Sequence, residues 1–297
     1  MDLTTNVTGL QLRNPTILAA GILGSTASSL KRVMSSGAGA VVTKSIGVAL
    51  REGHPGPVMI QTEHGFLNAI GLANPSYHEF THELKEAKGE VPVIVSIFGR
   101  NAEEFKEVAL GLIGAGPDAF ELNLSCPHAE GYGASLGEDP NEVEKITRAV
   151  KEAVNVPVWV KLPPLTSIVK SGLAAQKGGA DAVVAINTLP AMAIDIESRF
   201  PVLGNISGGL SGAAIKPVAL KCVYDLYAAL NIDIIGVGGV SSWRDALEFI
   251  LAGASAIEIG SAVYEDMDVF RHISEGIARY LQDTGCDLED VQGAAVR

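Results

Sequence analysis

The stretch 121–128, ELNLSCPH, begins as a buried strand and turns polar within a few residues, setting Asn123, Ser125 and Cys126 just ahead of a proline. The chain has three cysteines, at 126, 222 and 286, too few and too scattered to frame disulfides, a zinc site or an iron–sulfur cluster. A lone strand-end cysteine is ordinarily a small buried hydrophobe, so its meaning depends on what stands beside it. Similar polar endings recur: Lys44-Ser45, Lys161, Asn187-Thr188, Gly238-Gly239 and Gly260-Ser261 each close an apolar run. Taken singly these are solvated lysines or turn residues, but their recurrence at run after run points to one shared site. The last two pairs, in GVGG (236–239) and GSA (260–262), supply close backbone approach and N–H donors of the kind that hold a phosphate. Neither a GK[ST] P-loop nor a GxGxxG is present, which disfavours a nucleoside triphosphate or a Rossmann-bound dinucleotide and leaves a phosphate-bearing cofactor.

The elements that must position these residues follow from periodicity. Short continuous apolar runs predict strands at PTILAAG, GAVVTKS, VPVIVSIFG, AFELNLS, VPVWVKLPP, AVVAINT, IDIIGVGG and AIEIGSA, of the type buried on both faces of a parallel sheet. Between them lie amphipathic stretches such as NEVEKITRAVKEAV, with Val143, Ile146, Val150 and Val154 at helical spacing, and SSWRDALEFILAGA, which Ser241 or Ser242 would cap. Eight such units predict a (β/α)8 barrel as a single domain over residues 1–297, with an open doubly wound sheet as the alternative. In a barrel the strand C-termini share one face, where the polar endings would meet. TTNVTGLQLRNP predicts a short N-terminal β-hairpin with Gly9 in its turn, plugging the barrel bottom. Two long loops, 47–75 after the second strand and 189–212 after the sixth, exceed ordinary connections and mark function. AEGYGASLGEDP, following Cys126, reads as either a mobile lid or an irregular loop. His54 and His64 lack metal spacing and read as solvated loop residues; Cys222 reads as packing and Cys286 has no visible role.

Composition sets the outer bounds. With 47% hydrophobic and 19% charged residues the chain can bury a sizeable core. A net charge of −12 opposes binding to a phosphate backbone. No apolar run reaches the roughly 20 residues of a bilayer span, and the N-terminus has neither the basic nor the apolar region of an export signal, so a cytoplasmic protein without membrane or nucleic-acid partners is expected.

NAIGLANP (68–75), NLSCP (123–127), AINT (185–188), GGLSG (208–212) and GVGGV (236–240) stand in the order found in dihydroorotate dehydrogenases, and over its full length the chain resembles their class 1B catalytic subunit. The resemblance implies an FMN barrel that oxidises dihydroorotate to orotate in pyrimidine synthesis. Carried over by position, FMN would meet Ala20, Lys44, Ser45, Ser96, Asn123, Lys161, Ile186, Gly212, Gly238, Gly239, Gly260 and Ser261. Substrate would meet Lys44, Asn68, Ala69, Ile70, Gly71, Leu72, Asn123, Asn187 and Thr188, with Cys126 as the base. The roles make chemical sense. Desaturating a C–C bond needs a base for the C5 proton and an acceptor for the C6 hydride, and the flavin is only the acceptor. A thiol with an unperturbed pKa of about 8.5 is tunable toward neutrality. Asparagines offer a donor and an acceptor each, matching a flat ring of alternating C=O and N–H groups; Lys161, with Lys44, would favour an anionic reduced ring. The class 1B resemblance also implies a separate iron–sulfur flavoprotein subunit carrying FAD and a 2Fe-2S cluster that passes electrons to NAD, around a homodimeric core within a heterotetramer.

Two positions depart from the family pattern. Ser96 stands where a flavin-contacting asparagine is common, and His128 where an asparagine contacts substrate in many members. NLSCPH is also the form in the related domain of dihydropyrimidine dehydrogenase, which makes a uracil-type substrate the alternative. Dihydrouridine synthases, also FMN barrels with a cysteine, grip RNA and fit an acidic chain poorly. A non-catalytic phosphate-binding barrel would need neither Cys126 nor a set of asparagines.

Overall fold

The computed structural model describes residues 2–124, 134–164 and 166–297. Eight parallel strands close into a barrel: β1 (Thr16–Leu18), β2 (Ala40–Val42), β3 (Val93–Ile97), β4 (Ala119–Asn123), β5 (Val158–Leu162), β6 (Ala182–Ala185), β7 (Asp233–Val237) and β8 (Ala256–Ile259). Each neighbours the next in sequence, and β8 pairs with β1, Ile257 opposite Thr16. A helix follows each strand: α1 (Ala27–Ser35), α2 (Tyr77–Ala87), α3 (Ala102–Ile113), α4 (Pro140–Lys151), α5 (Ile168–Lys177), α6 (Lys216–Ala229), α7 (Trp243–Leu251) and α8 (Val269–Thr284). This is the expected (β/α)8 architecture, and the alternative of an open sheet is set aside by the β8–β1 pairing. Among the described residues no helix is long and apolar enough to cross a membrane.

Strand alternation divides the core in two. Outward residues such as Val95, Phe120, Val160 and Ile257 pack under the helices, whereas Ile17, Ala40, Val42, Ile94, Ala119, Trp159, Val184, Ile235 and Ala256 fill the interior. Two residues further along, several inward columns turn polar: Val42 gives way to Lys44, Ile94 to Ser96, Ala119 to Glu121 and Asn123, Trp159 to Lys161, and Ala256 to Glu258. The apolar floor therefore lies toward the strands' N-termini and the polar layer at their C-terminal ends.

The N-terminal hairpin pairs Thr5–Val7 with Leu10–Leu12 through a two-residue turn whose Thr8 and Gly9 have φ of 53° and 88°, the positive-φ pair that a tight hairpin requires. Val7 and Leu12 are fully buried against the interior apolar residues. The Trp159 indole N–H donates to Thr8 Oγ1 at 2.9 Å, and the Thr8 N–H to Asp233 Oδ2 at 2.9 Å. The hairpin thus seals the end of the barrel away from the polar layer.

The helix starts follow local chemistry. Asp139 caps α4 with Pro140 at its first turn, and Ser242, rather than Ser241, caps α7 in a reciprocal box with Asp245. Helix α4 ends at Lys151, so Val143, Ile146 and Val150 are on its buried face and Val154 lies beyond it.

The two long connections are more ordered than their sequences suggest. Residues 47–75 contribute Met59–Thr62 and Gly65–Asn68; residues 189–212 contribute Leu189–Ala191 and Gly208–Ser211. Together they form a four-stranded antiparallel sheet, with Leu67 opposite Leu210 and Asn68 opposite Gly209. A second small ribbon pairs Ile194–Asp195 with Phe200–Pro201.

Candidate functional site

The sheet from the two long connections stands over the C-terminal mouth of the barrel, and a cavity lies between them. Its walls include Ala20, Lys44, Ser45, Asn68, Ala69, Ile70, Gly71, Leu72, Asn123, Lys161, Ile186, Asn187, Thr188, Gly212, Gly238, Gly239, Gly260 and Ser261. Residues expected at a shared site from the first 72 positions and from the last 60 therefore meet in one place.

A hydrogen-bond relay ties four strand ends together. Asn187 Nδ2 donates to Asn123 Oδ1 at 3.3 Å, and Asn123 Nδ2 donates to Ser45 Oγ at 3.1 Å. Ser45 Oγ meets Ser96 Oγ at 2.9 Å, and the Ser96 N–H donates to Thr43 Oγ1 at 3.2 Å. Ser96 itself is fully buried and is not on the cavity wall; it supports Ser45 from behind. The Thr188 N–H donates to Asn187 Oδ1 at 2.7 Å, and in the covering sheet Asn68 Nδ2 donates to the Gly209 carbonyl at 3.3 Å.

Two lysines face the cavity in different settings. Lys161 lies at its floor, 5% exposed, with Nζ 2.5 Å from Glu258 Oε2 and 3.4 Å from Glu121 Oε2. Burial works to lower its pKa, but the two carboxyls outweigh that effect and hold the ammonium above the usual lysine range. Lys44 lies on the wall, and burial pushes its pKa below the usual lysine range.

The third part is a glycine cradle. Gly238 and Gly239 have φ of 134° and 77°, a region that L side chains avoid. A Cβ on Gly239 would come within 2.8 Å of the Gly212 carbonyl oxygen, and one on Gly212 within 2.5 Å of Gly65 Cα. Three loops therefore approach backbone to backbone beside Gly260 and Ser261, which open the short helical turn Ser261–Tyr264. The cradle suits a phosphate, and the floor offers a cation beneath it in the barrel axis.

Several wall residues were not singled out in the sequence. Gly21, Ile22, Met59, Phe66, Gly209, Ser211, Ile215 and Tyr264 line the cavity, and Phe66 packs against Tyr264 with ring centroids 5.5 Å apart. Glu258 also lines it, with Glu121 fully buried beside Lys161. The signal for these two was a charged residue at an inward position of an otherwise apolar strand. His64 is exposed as expected, whereas His54 is half-buried with its ring against Gly71. Cys222 is packed in α6, where burial pushes its thiol up to about 11, and Cys286 is partly buried. Cys126, His128 and the first part of the AEGYGASLGEDP segment lie outside the described residues; its later part forms the short helix Ala134–Glu138.

Residues 2–281 match the family model described as Dihydroorotate dehydrogenase. The chain is 62% identical over 299 residues to the "Dihydroorotate dehydrogenase B (NAD(+)), catalytic subunit" of Methanocella arvoryzae, covering 100% of this chain and 99% of the relative. It is 51% identical to the protein of the same name in Pyrococcus furiosus, covering 99% of each. Among solved structures, dihydroorotate dehydrogenase of Eimeria tenella, in complex with ferulenol, superposes with a TM-score of 0.87 at 23% identity, covering 99% of this chain and 88% of that one, a likeness of fold. The full-length family match and the extent of identity establish that the chain belongs to the dihydroorotate dehydrogenase family.

Proposed function

We propose that the chain is the FMN-binding catalytic subunit of an NAD-linked, class 1B dihydroorotate dehydrogenase, oxidising dihydroorotate to orotate in pyrimidine biosynthesis. The observation that carries this reading is the convergence of Lys44, Asn123, Lys161, Asn187 and the Gly238-Gly239 cradle on one cavity at the barrel mouth. FMN, when bound, supplies the hydride acceptor that these side chains cannot. The residues fit such a group: the Gly212, Gly238 and Gly239 cradle leaves no room for a Cβ and suits its phosphate, together with Gly260 and Ser261. Ala20, Lys44, Ser45, Asn123, Ile186 and Lys161 provide the remaining contacts, with Ser96 acting through Ser45.

The substrate is held by Lys44, Asn123, Asn187, Thr188 and the segment Asn68, Ala69, Ile70, Gly71 and Leu72. Lys44 attracts its carboxylate, and the asparagine amides match the ring's C=O and N–H groups. The relay from Asn187 to Ser96 holds the two amides together, Asn187 Nδ2 donating to Asn123 Oδ1 and Asn123 Nδ2 to Ser45 Oγ. Cys126, three positions after the last residue of β4, removes the C5 proton as the C6 hydride leaves. The overhanging sheet shields this chemistry from water.

The relatives' name, "catalytic subunit", supports a partner subunit, which in this reading carries FAD and a 2Fe-2S cluster. Exposed Met192, Ile194, Ile196, Phe200 and Ile206, gathered between residues 192 and 206, support pairing of two barrels into a homodimeric core within the heterotetramer. The test is turnover of the purified, FMN-loaded chain with dihydroorotate and an artificial acceptor, identifying orotate as product. NAD reduction is expected only after the iron–sulfur flavoprotein is added. Full-rate NAD reduction by the chain alone, or turnover restricted to fumarate as acceptor, overturns the class 1B reading.

A further inference from the structure

At the floor of the cavity three ionisable side chains are buried in the barrel interior. Glu121 comes from β4 and Glu258 from β8, strands on opposite sides of the closed barrel, and both side chains are fully buried. They meet at Lys161 of β5, whose ammonium lies 2.5 Å from Glu258 Oε2 and 3.4 Å from Glu121 Oε2. The other oxygen of each, Glu121 Oε1 and Glu258 Oε1, has no hydrogen-bond partner among the described residues. The interior layer below them is apolar, with Ile17, Val42, Ile94 and Val184; in their own layer Ser96 stands opposite Glu121 in register, its hydroxyl engaged with Ser45, and the other lysine on the cavity wall is Lys44. Two carboxylates and one ammonium would place an uncompensated negative charge on fully buried carboxyl groups. Desolvation and like-charge repulsion both oppose this, and a shared proton relieves both.

We propose that Glu121 and Glu258 hold a single proton between them, making an electrically neutral triad with Lys161, and that this pair of positioning residues sets the net charge that Lys161 presents to the bound flavin. Burial, followed by the charge of Glu121, pushes the Glu258 carboxyl well above the usual carboxylate range against the pull of Lys161. The proton belongs to the pair and not to one member, as for any closely coupled carboxyls. The neutral triad lets the ammonium face the cavity as half of an ion pair, pinned by two strands, instead of as a free cation or as part of a net anion. The effect on the flavin rests on the FMN reading above; the shared proton does not.

The test separates the two. Infrared spectra of the FMN-free protein at pH 7 should contain a protonated carboxyl C=O stretch that disappears in Glu121→Gln and equally in Glu258→Gln, since in each variant the remaining carboxyl ionises against Lys161. In the FMN-loaded proteins, either single variant should leave the equilibrium constant for two-electron flavin reduction within threefold of the parent. The double variant, which removes the last anion, should raise it at least tenfold, a shift of about 30 mV. The non-additive pattern is diagnostic: two ionised carboxylates would give no such stretch and a rise of similar size at each substitution, overturning the proposal. If the double variant does not fold, the presence or absence of the stretch and its loss in the single variants decide the matter. A preparation that refuses FMN removes the flavin reading and leaves the infrared result to judge the shared proton.

Discussion

Asn187 and Asn123, at the ends of neighbouring-but-one strands of the barrel, are joined by an Nδ2-to-Oδ1 hydrogen bond of 3.3 Å. The bond ties the two amides together on the cavity wall, and in the proposed function each would read the substrate ring in a fixed sense. Asn187→Ala removes one reader and frees the other. With about 1 kcal/mol, roughly fivefold, per neutral hydrogen bond and two such bonds at stake, the KM for dihydroorotate should rise roughly 30-fold while FMN content is unchanged. Steady-state kinetics alongside flavin-to-protein absorbance ratios check this.

In the proposed function Lys44 favours substrate binding while its burial opposes stability. Burial holds its folded-state pKa below the unfolded value, so between the two values the unfolded chain binds more protons and stability rises with pH. At neutral pH the charged side chain therefore costs folding free energy in the cofactor-free protein. Lys44→Met should raise the Tm of that form while weakening orotate binding at least tenfold. Calorimetry and orotate titration test the two halves separately.

Ser96 is expected to act through Ser45. Its hydroxyl sits 2.9 Å from Ser45 Oγ in a fully buried position, so Ser96→Ala should cost about 1 kcal/mol of stability and change the FMN Kd only a few-fold. Ser45→Ala, on the cavity wall, should weaken FMN more strongly. Denaturant unfolding and flavin fluorescence titration distinguish the two.

Gly209 reports on how closely the overhanging sheet approaches the substrate wall. An added Cβ would lie 2.0 Å from Thr188 Oγ1 and 2.6 Å from Thr188 Cβ, so Gly209→Ala must displace Thr188. KM should rise about tenfold with a lower Tm, and Thr188→Gly in the same chain should recover part of the Tm, a coupling expected of residues in contact.

The barrel was legible because its strands are buried on both faces and so appear as uninterrupted apolar runs, and the polar endings at Lys44, Asn123, Lys161 and Asn187 marked its functional face. Pairings across long sequence separation were not: Leu67 opposite Leu210 joins segments too short for any periodicity to show, and so the covering sheet read as two loops. Ser96 shows a second limit. Its place in the chain aligned it with a cofactor contact, but only the inward geometry reveals that Ser45 stands between it and the cavity. Glu121 and Glu258 were visible as letters inside AFELNLS and AIEIGSA, yet their meeting depends on barrel closure bringing opposite strands together.

The central claim is that this cavity holds FMN against a carboxylate-bearing dihydropyrimidine. Anaerobic titration of the yellow protein with dihydroorotate, and separately with dihydrouracil, tests it most directly through the flavin absorbance. Bleaching is predicted with dihydroorotate at near-stoichiometric addition, with dihydrouracil leaving the spectrum unchanged because it has no carboxylate for Lys44. Bleaching by dihydrouracil alone, or by neither compound, would contradict the account.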